Sequence, residues 1–184
     1  MSKDPNFIVD LLEGVKSNQI SIDEAKAQLS HYDELGFAKI DLHRAKRQGF
    51  PEVIFGEGKT KEQINQIIES LTQHDNVILV TRIDETKAKF VLEHHPYLQY
   101  HSVANIVSTP IEKIKKSQNY ISILCAGTSD LAVAEEAALT AEVMGIQVKR
   151  FYDVGVSGIH RLFNHIHEIR QGKVSVVIAG MEGA

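Results

Sequence analysis

The residues after Tyr120 alternate apolar strand patterns with helical ones, and this alternation restricts the fold more than any other feature of the sequence. The predicted elements are strands at 121–125, 148–152 and 174–179 and helices at 131–144 and about 159–170. Near-continuous apolar strands that alternate with helices are typical of a parallel sheet covered on both faces, and right-handed crossovers leave few topologies. We therefore predict a flavodoxin-like, three-layer α/β/α domain at residues 118–184.

Residues 1–117 have a weaker pattern and are predicted to form a separate domain, a helical hairpin followed by a small α/β unit. The second helix of the hairpin begins with a capping box at residues 21–24, in which Ser21 and Glu24 satisfy exposed amides of the first turn. Apolar periodicity lapses between Lys113 and Asn119 and then restarts. The boundary between the two domains is therefore placed in this polar run.

The small α/β unit is predicted from three short apolar runs and one amphipathic helix. The strands are expected at 53–55, 77–80 and 98–101. The helix begins near Thr60 with a second capping-box pattern. Its apolar positions have helical spacing and are expected to be buried: Ile64, Ile67, Ile68 and Leu71.

The overall composition excludes several classes of partner. Twenty basic and 24 acidic residues give a net charge of −4, which provides no general attraction for nucleic acid. No segment approaches the roughly 18 consecutive apolar residues of a membrane helix. The first residues lack a secretory signal pattern, and a single cysteine excludes a disulfide framework. We expect a cytoplasmic protein with neither a nucleic-acid nor a membrane partner.

Three polar loops follow the strands of the parallel sheet. Because parallel strands end at the same side, the segments after Cys125, Tyr152 and Ala179 are predicted to meet there. Glycine and hydroxyl residues at a helix start favour phosphate or carboxylate. The candidate binding residues are Gly127, Thr128, Ser129, Asp130, Asp153, Gly155, Ser157, Gly158, His160 and Arg161, with Glu182 in the third loop. In the alternative, purely structural interpretation, Ser129 or Asp130 merely caps the helix.

Other motifs narrow the chemistry. The first loop matches neither G-x-G-x-x-G nor G-x-x-x-x-G-K-[ST], so neither a Rossmann dehydrogenase nor a P-loop NTPase is indicated. Nine histidines occur without an H-E-x-x-H or paired-cysteine pattern, so no dedicated metal site is predicted. Cys125 lies in an apolar run and is interpreted as a small buried side chain. The basic cluster at residues 43–47 is either a solvated face or a local anion site.

The sequence resembles the LarB family of nickel-pincer cofactor biosynthesis proteins along essentially its whole length. The resemblance is carried in the second half by residues 125–130, 133–137, 152–162 and 178–184. In the first half it is carried by residues 36–38, Asp41, Arg44, Arg47, residues 49–53 and residues 56–59. It implies a carboxy-terminal domain related to phosphoribosylaminoimidazole carboxylase and an amino-terminal domain peculiar to the family.

The resemblance also implies a reaction. The expected substrate is nicotinic acid adenine dinucleotide, whose pyridinium ring is carboxylated by carbon dioxide or bicarbonate and whose phosphoanhydride is hydrolysed. The products are AMP and pyridinium-3,5-biscarboxylic acid mononucleotide. Mg²⁺ is expected as a cofactor held mainly by the substrate pyrophosphate, as is common for this ion. A homo-oligomer is also expected.

The resemblance assigns roles to a few residues. Glu182 is the expected general base, with the alternative that it only binds the first amides of a following helix. Arg44, Arg47 and Lys59 would neutralise the adenylate phosphate or the ring carboxylate. The nucleophilic cysteine of the family would follow residue 184, so the chain as given is expected to be incomplete and inactive, and its apolar strand 174–178 to need cover.

Two other functions stay open at this point. An aminoimidazole ribonucleotide carboxylase of purine biosynthesis would use the same domain, but Val156 falls where its catalytic histidine is expected. A non-catalytic nucleotide-binding or assembly role is compatible with a chain that lacks the family's nucleophile.

Overall fold

The computed structural model describes residues 5–22, 24–25, 32–42, 44, 48–73 and 77–184. The chain divides into two units, Met1–Glu52 and Val53–Ala184. None of the helices within the described ranges has the length and apolar content that a membrane crossing requires.

The first unit contains one long helix and a strand hairpin. The helix is α1, Pro5–Lys16, and the antiparallel strands are β1, Tyr32–Glu34, and β2, Lys39–Asp41. The capping box predicted at Ser21 is confirmed, since the Ser21 amide donates to Glu24 Oε2 at 2.8 Å and the Glu24 amide donates to Ser21 Oγ at 3.1 Å. The rest of the predicted helical hairpin falls largely on residues 23 and 26–31, outside the described residues.

The second unit begins with a four-stranded mixed sheet. Its elements are β3, Ile54–Phe55; α2, Lys61–Thr72; β4, Leu79–Thr81; α3, Glu85–His94; β5, Gln99–His101; and β6, Ile106–Ser108. The strand order is β3-β4-β6-β5; β3 and β4 are parallel, and the other neighbours are antiparallel. The three predicted strands and the predicted helix are confirmed, including the capping box of Thr60 and Gln63 and the buried face of α2.

Helix α3 and strand β6 were not predicted, because their sequences show little apolar periodicity. Only Ala88 and Val91 of α3 are buried, so a stripe of apolar residues is missing. Strand β6 is three residues long and entirely buried, so it has no alternation of apolar and polar positions.

The second sheet has the predicted β-α-β-α-β order. Its elements are β7, Tyr120–Cys125; α4, Leu131–Val143; β8, Gln147–Phe151; α5, Ile159–Gln171; and β9, Ser175–Ile178. The order is β8-β7-β9 with every pair parallel. Ile123 packs with α4, whereas Leu124 packs with Ile169 of α5, so the two helices cover opposite faces. The predicted α/β class with three layers is confirmed.

Helix α4 packs on both sheets of the second unit. Ala134 and Ala138 pack against Ile123 and Cys125 of β7. On the other side, Leu139 and Val143 pack with residues of the first sheet: Leu79, Ala104 and Ile106. A helix with two buried sides is apolar around most of its circumference. This shared helix joins the two sheets into one structural unit, Val53–Ala184, and the predicted domain boundary at 117 falls between the two sheets.

A buried polar chain links α2 to the end of α3. His95 is 7% exposed, and its Nε2 lies 2.9 Å from Asn65 Oδ1. Asn65 donates its amide to Glu69 Oε1 at 2.7 Å, which leaves its carbonyl oxygen to accept from His95. Tyr97 Oη lies 3.4 Å from the other ring nitrogen of His95. Burial lowers the pKa of His95 below its usual 6.5, so the folded state keeps this ring neutral.

We expect the stability of the protein to fall as the pH drops below about 6.5, and His95→Gln to reduce that loss. The unfolded chain takes up a proton on His95 in this range, whereas the folded chain resists it; stability is therefore full above the unfolded pKa and is lost below it. Urea unfolding at about pH 7.5 and 5.5 measures the difference. Equal losses in the parent protein and the variant would show that His95 does not contribute.

Candidate active site

The carboxyl ends of β7, β8 and β9 meet as predicted. The Ala126 amide donates to Ile178 O, and the Val154 amide donates to Cys125 O, each at 3.0 Å. The loops 126–130, 152–158 and 179–184 therefore begin from adjacent points of one sheet edge. We call this region the carboxyl edge.

Gly155 allows the first two loops to touch. Its amide donates to Ala126 O at 3.0 Å. A Cβ atom at position 155 would lie 2.7 Å from that same oxygen, which no side chain tolerates without a shift of the backbone. The lack of a side chain at position 155 therefore serves the contact between the two loops.

Both helices that start at the carboxyl edge lack a side-chain cap. A 3-10 turn at Thr128–Asp130 leads into α4, and the N-cap residue Asp130 makes no capping hydrogen bond within the described part of the chain. Gly158 occupies the N-cap of α5 and has no side chain to offer. In contrast, Thr60 and Asp84 cap α2 and α3. The alternative in which Asp130 merely caps its helix is therefore wrong.

Asp153 and Arg161 form an ion pair across the second loop. Arg161 Nη1 donates to Asp153 Oδ2, and the backbone of Asp153 has a φ of 58°. The guanidinium lies directly over Gly158, where a Cβ atom would be 2.5 Å from Arg161 Nε. That Nε is buried and has no hydrogen-bond partner among the described residues. Arg161 thus keeps a donor that its carboxylate partner does not use.

The remaining predicted residues of this edge are exposed. Thr128 and Ser129 lie in the first loop, and Ser157 and His160 lie at the start of α5. Glu182 lies in the third loop at a φ of 55°, in a turn closed by a hydrogen bond from the Ala184 amide to Met181 O. The exposed members of the predicted set at this edge are therefore Thr128, Ser129, Asp153, Ser157, His160 and Glu182, whereas Gly155 and Gly158 are buried.

Of the three predicted basic residues, the structure describes Arg44 and Lys59. Arg44 belongs to the first unit, where its Nη1 lies 3.4 Å from Glu52 Oε2. Arg47 lies outside the described residues. Lys59 follows β3 in the second unit and donates from Nζ to Phe55 O at 2.8 Å.

Cys125 is buried as predicted. Its Sγ donates to Gly127 O at 2.9 Å, and burial raises the pKa of the thiol above its ordinary value. A neutral, buried thiol is a poor nucleophile. The residue packs the end of β7 and does not serve the chemistry.

Sequence reasoning missed a buried charge network behind the second loop. Arg150 of β8 donates to both carboxylate oxygens of Glu142, at 3.2 and 2.6 Å. Its Nε lies 3.4 Å from Glu135, which also accepts from Tyr152 Oη at 2.7 Å. Burial and the hydrogen bond to Glu135 raise the pKa of Tyr152. Because Tyr152 precedes Asp153, the network fixes the start of the second loop against α4.

One signal in the sequence was available for this network. Glu135 and Glu142 are seven residues apart and therefore share a face of α4, while Arg150 and Tyr152 are two apart and share a face of β8. Opposite charges on facing positions of a helix and its following strand predict such a pairing.

The structure thus shows an α/β protein with a parallel sheet whose polar loops gather at its carboxyl edge, beside two helix starts without a side-chain cap. Comparison with known proteins narrows this class. Residues 32–112 match the family model described as the LarB/PurE-like N-terminal domain. The chain is also 37% identical, over an alignment of 187 residues, to an uncharacterized protein of Methanocaldococcus jannaschii, covering 95% of this chain and 73% of that protein.

The chain belongs to the LarB/PurE-like family. Membership indicates carboxylase-type enzymology, which agrees with a carboxyl edge that presents anion-binding groups next to an exposed carboxylate, Glu182.

Proposed function

We propose that the protein carboxylates the pyridinium ring of nicotinic acid adenine dinucleotide with carbon dioxide or bicarbonate and hydrolyses the phosphoanhydride of the same substrate. A carbon–carbon bond forms at the ring as the ring proton leaves, and water cleaves the anhydride to release AMP. The other product is pyridinium-3,5-biscarboxylic acid mononucleotide, a precursor of the nickel-pincer cofactor. The observation that carries this proposal is the pair of uncapped helix starts at the carboxyl edge.

The starts of α4 and α5 suit the pyrophosphate of the substrate. The first amides of a helix lack partners within the helix, and the helix dipole favours negative charge there. Gly127 stands at the first start, where a Cβ atom would meet nothing closer than 3.8 Å, so a ligand can approach the backbone there; at the second start the Arg161 guanidinium covers Gly158. Side-chain caps of the kind that close α2 and α3 would compete with such a ligand.

Mg²⁺ fits this arrangement as an ion carried by the substrate. No group of three histidine, cysteine, aspartate or glutamate side chains is placed to hold a metal in the ranges that the structure describes. Mg²⁺ commonly binds through phosphate oxygens and only one or two carboxylates, and Asp130 or Asp153 would supply these. When bound, the ion would neutralise charge on the pyrophosphate.

Arg161 and Asp153 are proposed to bind different groups of the substrate. The Arg161 side chain is 38% exposed, and its guanidinium donates to a phosphate oxygen, a contact that charge makes strong. Asp153 is half exposed and accepts from the ribose hydroxyls. The network behind Tyr152 holds both groups in place.

Glu182 is proposed as the base that removes the ring proton. It is exposed in the third loop and lies on the edge where the ring would sit. The exposed Val156 offers no proton-transfer group, so the aminoimidazole ribonucleotide carboxylase reaction is not favoured.

The further expectations from the sequence remain proposals. They are contacts of Arg44, Arg47 and Lys59 with the substrate anions, assembly into a homo-oligomer and a cytoplasmic location. Strand β9, an edge of its sheet in the described chain, exposes 49% of Val177 and offers a surface for such assembly.

Arg161→Met tests the proposed substrate site. Methionine keeps apolar contact over Gly158 but loses every donor, so we expect the dissociation constant of nicotinic acid adenine dinucleotide to rise about 10- to 100-fold. Isothermal titration with Mg²⁺ present measures it. Arg170→Met, at the exposed far end of α5, is the matched control and should bind as the parent does. Parental affinity in Arg161→Met would remove this site from the proposal.

A further inference from the structure

A second groove lies at the ends of the parallel strands β3 and β4, outside the carboxyl edge. Its volume is about 330 Å³, and it is lined by Glu57, Arg82, Asp84, Lys87 and Asn105 with the backbone of Gly58. It belongs to the part of the chain that matches the N-terminal domain of the family. None of the roles discussed above uses it.

The backbone fixes the shape of this groove. The Gly56 amide donates to Thr81 O at 2.8 Å, and a Cβ atom at position 56 would lie 2.9 Å from that oxygen. Arg82 and Asn105 have φ values of 54° and 51°, unusual for residues with side chains. The walls on either side are therefore held close together by the main chain.

The cations of the groove are already paired. Arg82 Nε donates to both oxygens of Glu136 at 3.0 and 3.1 Å. Lys87 Nζ lies 3.4 Å from Asp84 Oδ2 and donates to Gly56 O at 3.3 Å. A free inorganic anion would have to displace these partners. The groove therefore suits a ligand that carries no net charge where it contacts the walls.

Two polar groups remain available to such a ligand. The carboxylate of Glu57 is mostly exposed, and its ion pair with Arg82 Nη1 is long, at 4.0 Å. Asn105 accepts from Tyr100 Oη at 3.2 Å through its carbonyl oxygen, which leaves its amide nitrogen as a donor. A carboxylate that accepts from a ribose diol is a recurrent nucleoside contact, and an amide donor matches a ring nitrogen of the base.

The groove lies beside the first half of α4, as the carboxyl edge does. Glu136, the partner of Arg82, is five residues after Leu131, about 7.5 Å along the helix axis. The first loop of the carboxyl edge leads into Leu131. A dinucleotide in extended form has the length to reach from one region to the other.

We propose that this groove binds the adenosine end of the dinucleotide while the carboxyl edge binds its pyridinium and pyrophosphate groups. The proposal rests on the proposed function for the identity of the ligand. Glu57 accepts from the ribose hydroxyls, and Asn105 donates to the base.

Glu57→Gln tests the groove by nuclear magnetic resonance titration with adenosine. Glutamine keeps the size of the side chain but loses the charge, and we expect adenosine to bind at least tenfold more weakly. Glu93→Gln, an exposed residue in the last turn of α3, is the matched control and should leave affinity unchanged. Asn105→Asp, which tolerates the same φ but removes the donor, should also weaken binding. Inorganic phosphate should not compete. Parental affinity in both groove variants, or displacement of adenosine by phosphate, would overturn the proposal.

A titration with nicotinic acid mononucleotide separates this proposal from the proposed function. This probe lacks the adenosine end, so Glu57→Gln should leave its affinity unchanged while Arg161→Met weakens it. If Arg161→Met has no effect on it but Glu57→Gln still weakens adenosine binding, the proposed function fails and the groove stands. If only the Arg161→Met effect appears, the groove assignment fails alone.

Discussion

Glu182→Gln is expected to lower the turnover of nicotinic acid adenine dinucleotide by about 10² to 10⁴ while substrate binding is retained. Carboxylation requires the ring proton to leave, and the proposed function assigns its removal to the Glu182 carboxylate in the third loop. Glutamine keeps the shape and hydrogen-bonding capacity of the side chain but cannot act as a base. The measurement is the rate at which AMP and the carboxylated product form.

The contrasting outcome for this variant is specific. If Glu182 only binds the first amides of a following helix, the variant should melt at a lower temperature and turn over at nearly the parental rate. Glu93→Gln serves again as a control, since it lies far from the carboxyl edge in the sequence and on another sheet's helix. Near-normal turnover in Glu182→Gln would therefore assign the base to another group.

Arg150→Met is expected to lower the free energy of unfolding by about 3 kcal/mol, because it removes one partner of a buried ion pair. The Glu142 side chain is 10% exposed and would keep only Lys116 Nζ, at 3.4 Å, as a cation. Burial alone would raise the pKa of Glu142, but Arg150 and Lys116 hold it below its ordinary 4.5. The parental protein thus keeps this stabilisation above pH 4.5 and loses it as the pH falls through the lowered pKa.

A double variant separates charge from packing in this network. Arg150→Met combined with Glu142→Leu leaves no uncompensated charge, and we expect it to be more stable than Arg150→Met alone. Urea denaturation of the two variants and the parent measures the coupling. A loss of less than 1 kcal/mol in Arg150→Met would show that water already reaches the network.

The second sheet could be predicted from the sequence because its apolar runs are long and alternate regularly with helical segments. Strands β7 to β9 and the edge that they form follow from these runs and from the rule that parallel strands end together. The capping boxes at Ser21 and Thr60 could also be predicted, since each depends on two residues that are three positions apart in the sequence.

The features that could not be predicted depend on contacts between distant segments. The division of the chain follows from α4 packing on two sheets, which no local pattern reveals. The lack of side-chain caps at α4 and α5 becomes visible only in the structure, where 3-10 turns precede both helices. Asp130 is a residue type that commonly caps helices, but it makes no capping hydrogen bond here. The groove at Glu57 is also lined by Arg82 and Asn105, which follow Glu57 by about 25 and 50 residues in the sequence. Only the mixed sheet brings these three segments together.

The most direct test of the proposed function is the fate of labelled bicarbonate. The purified protein is incubated with nicotinic acid adenine dinucleotide, Mg²⁺ and carbon-13 bicarbonate, and the products are followed by mass spectrometry. The proposal predicts one labelled carboxylate per pyridinium mononucleotide formed and one AMP released with it. Release of AMP with an unlabelled mononucleotide would contradict it, because the protein would then hydrolyse the dinucleotide without carboxylating the ring.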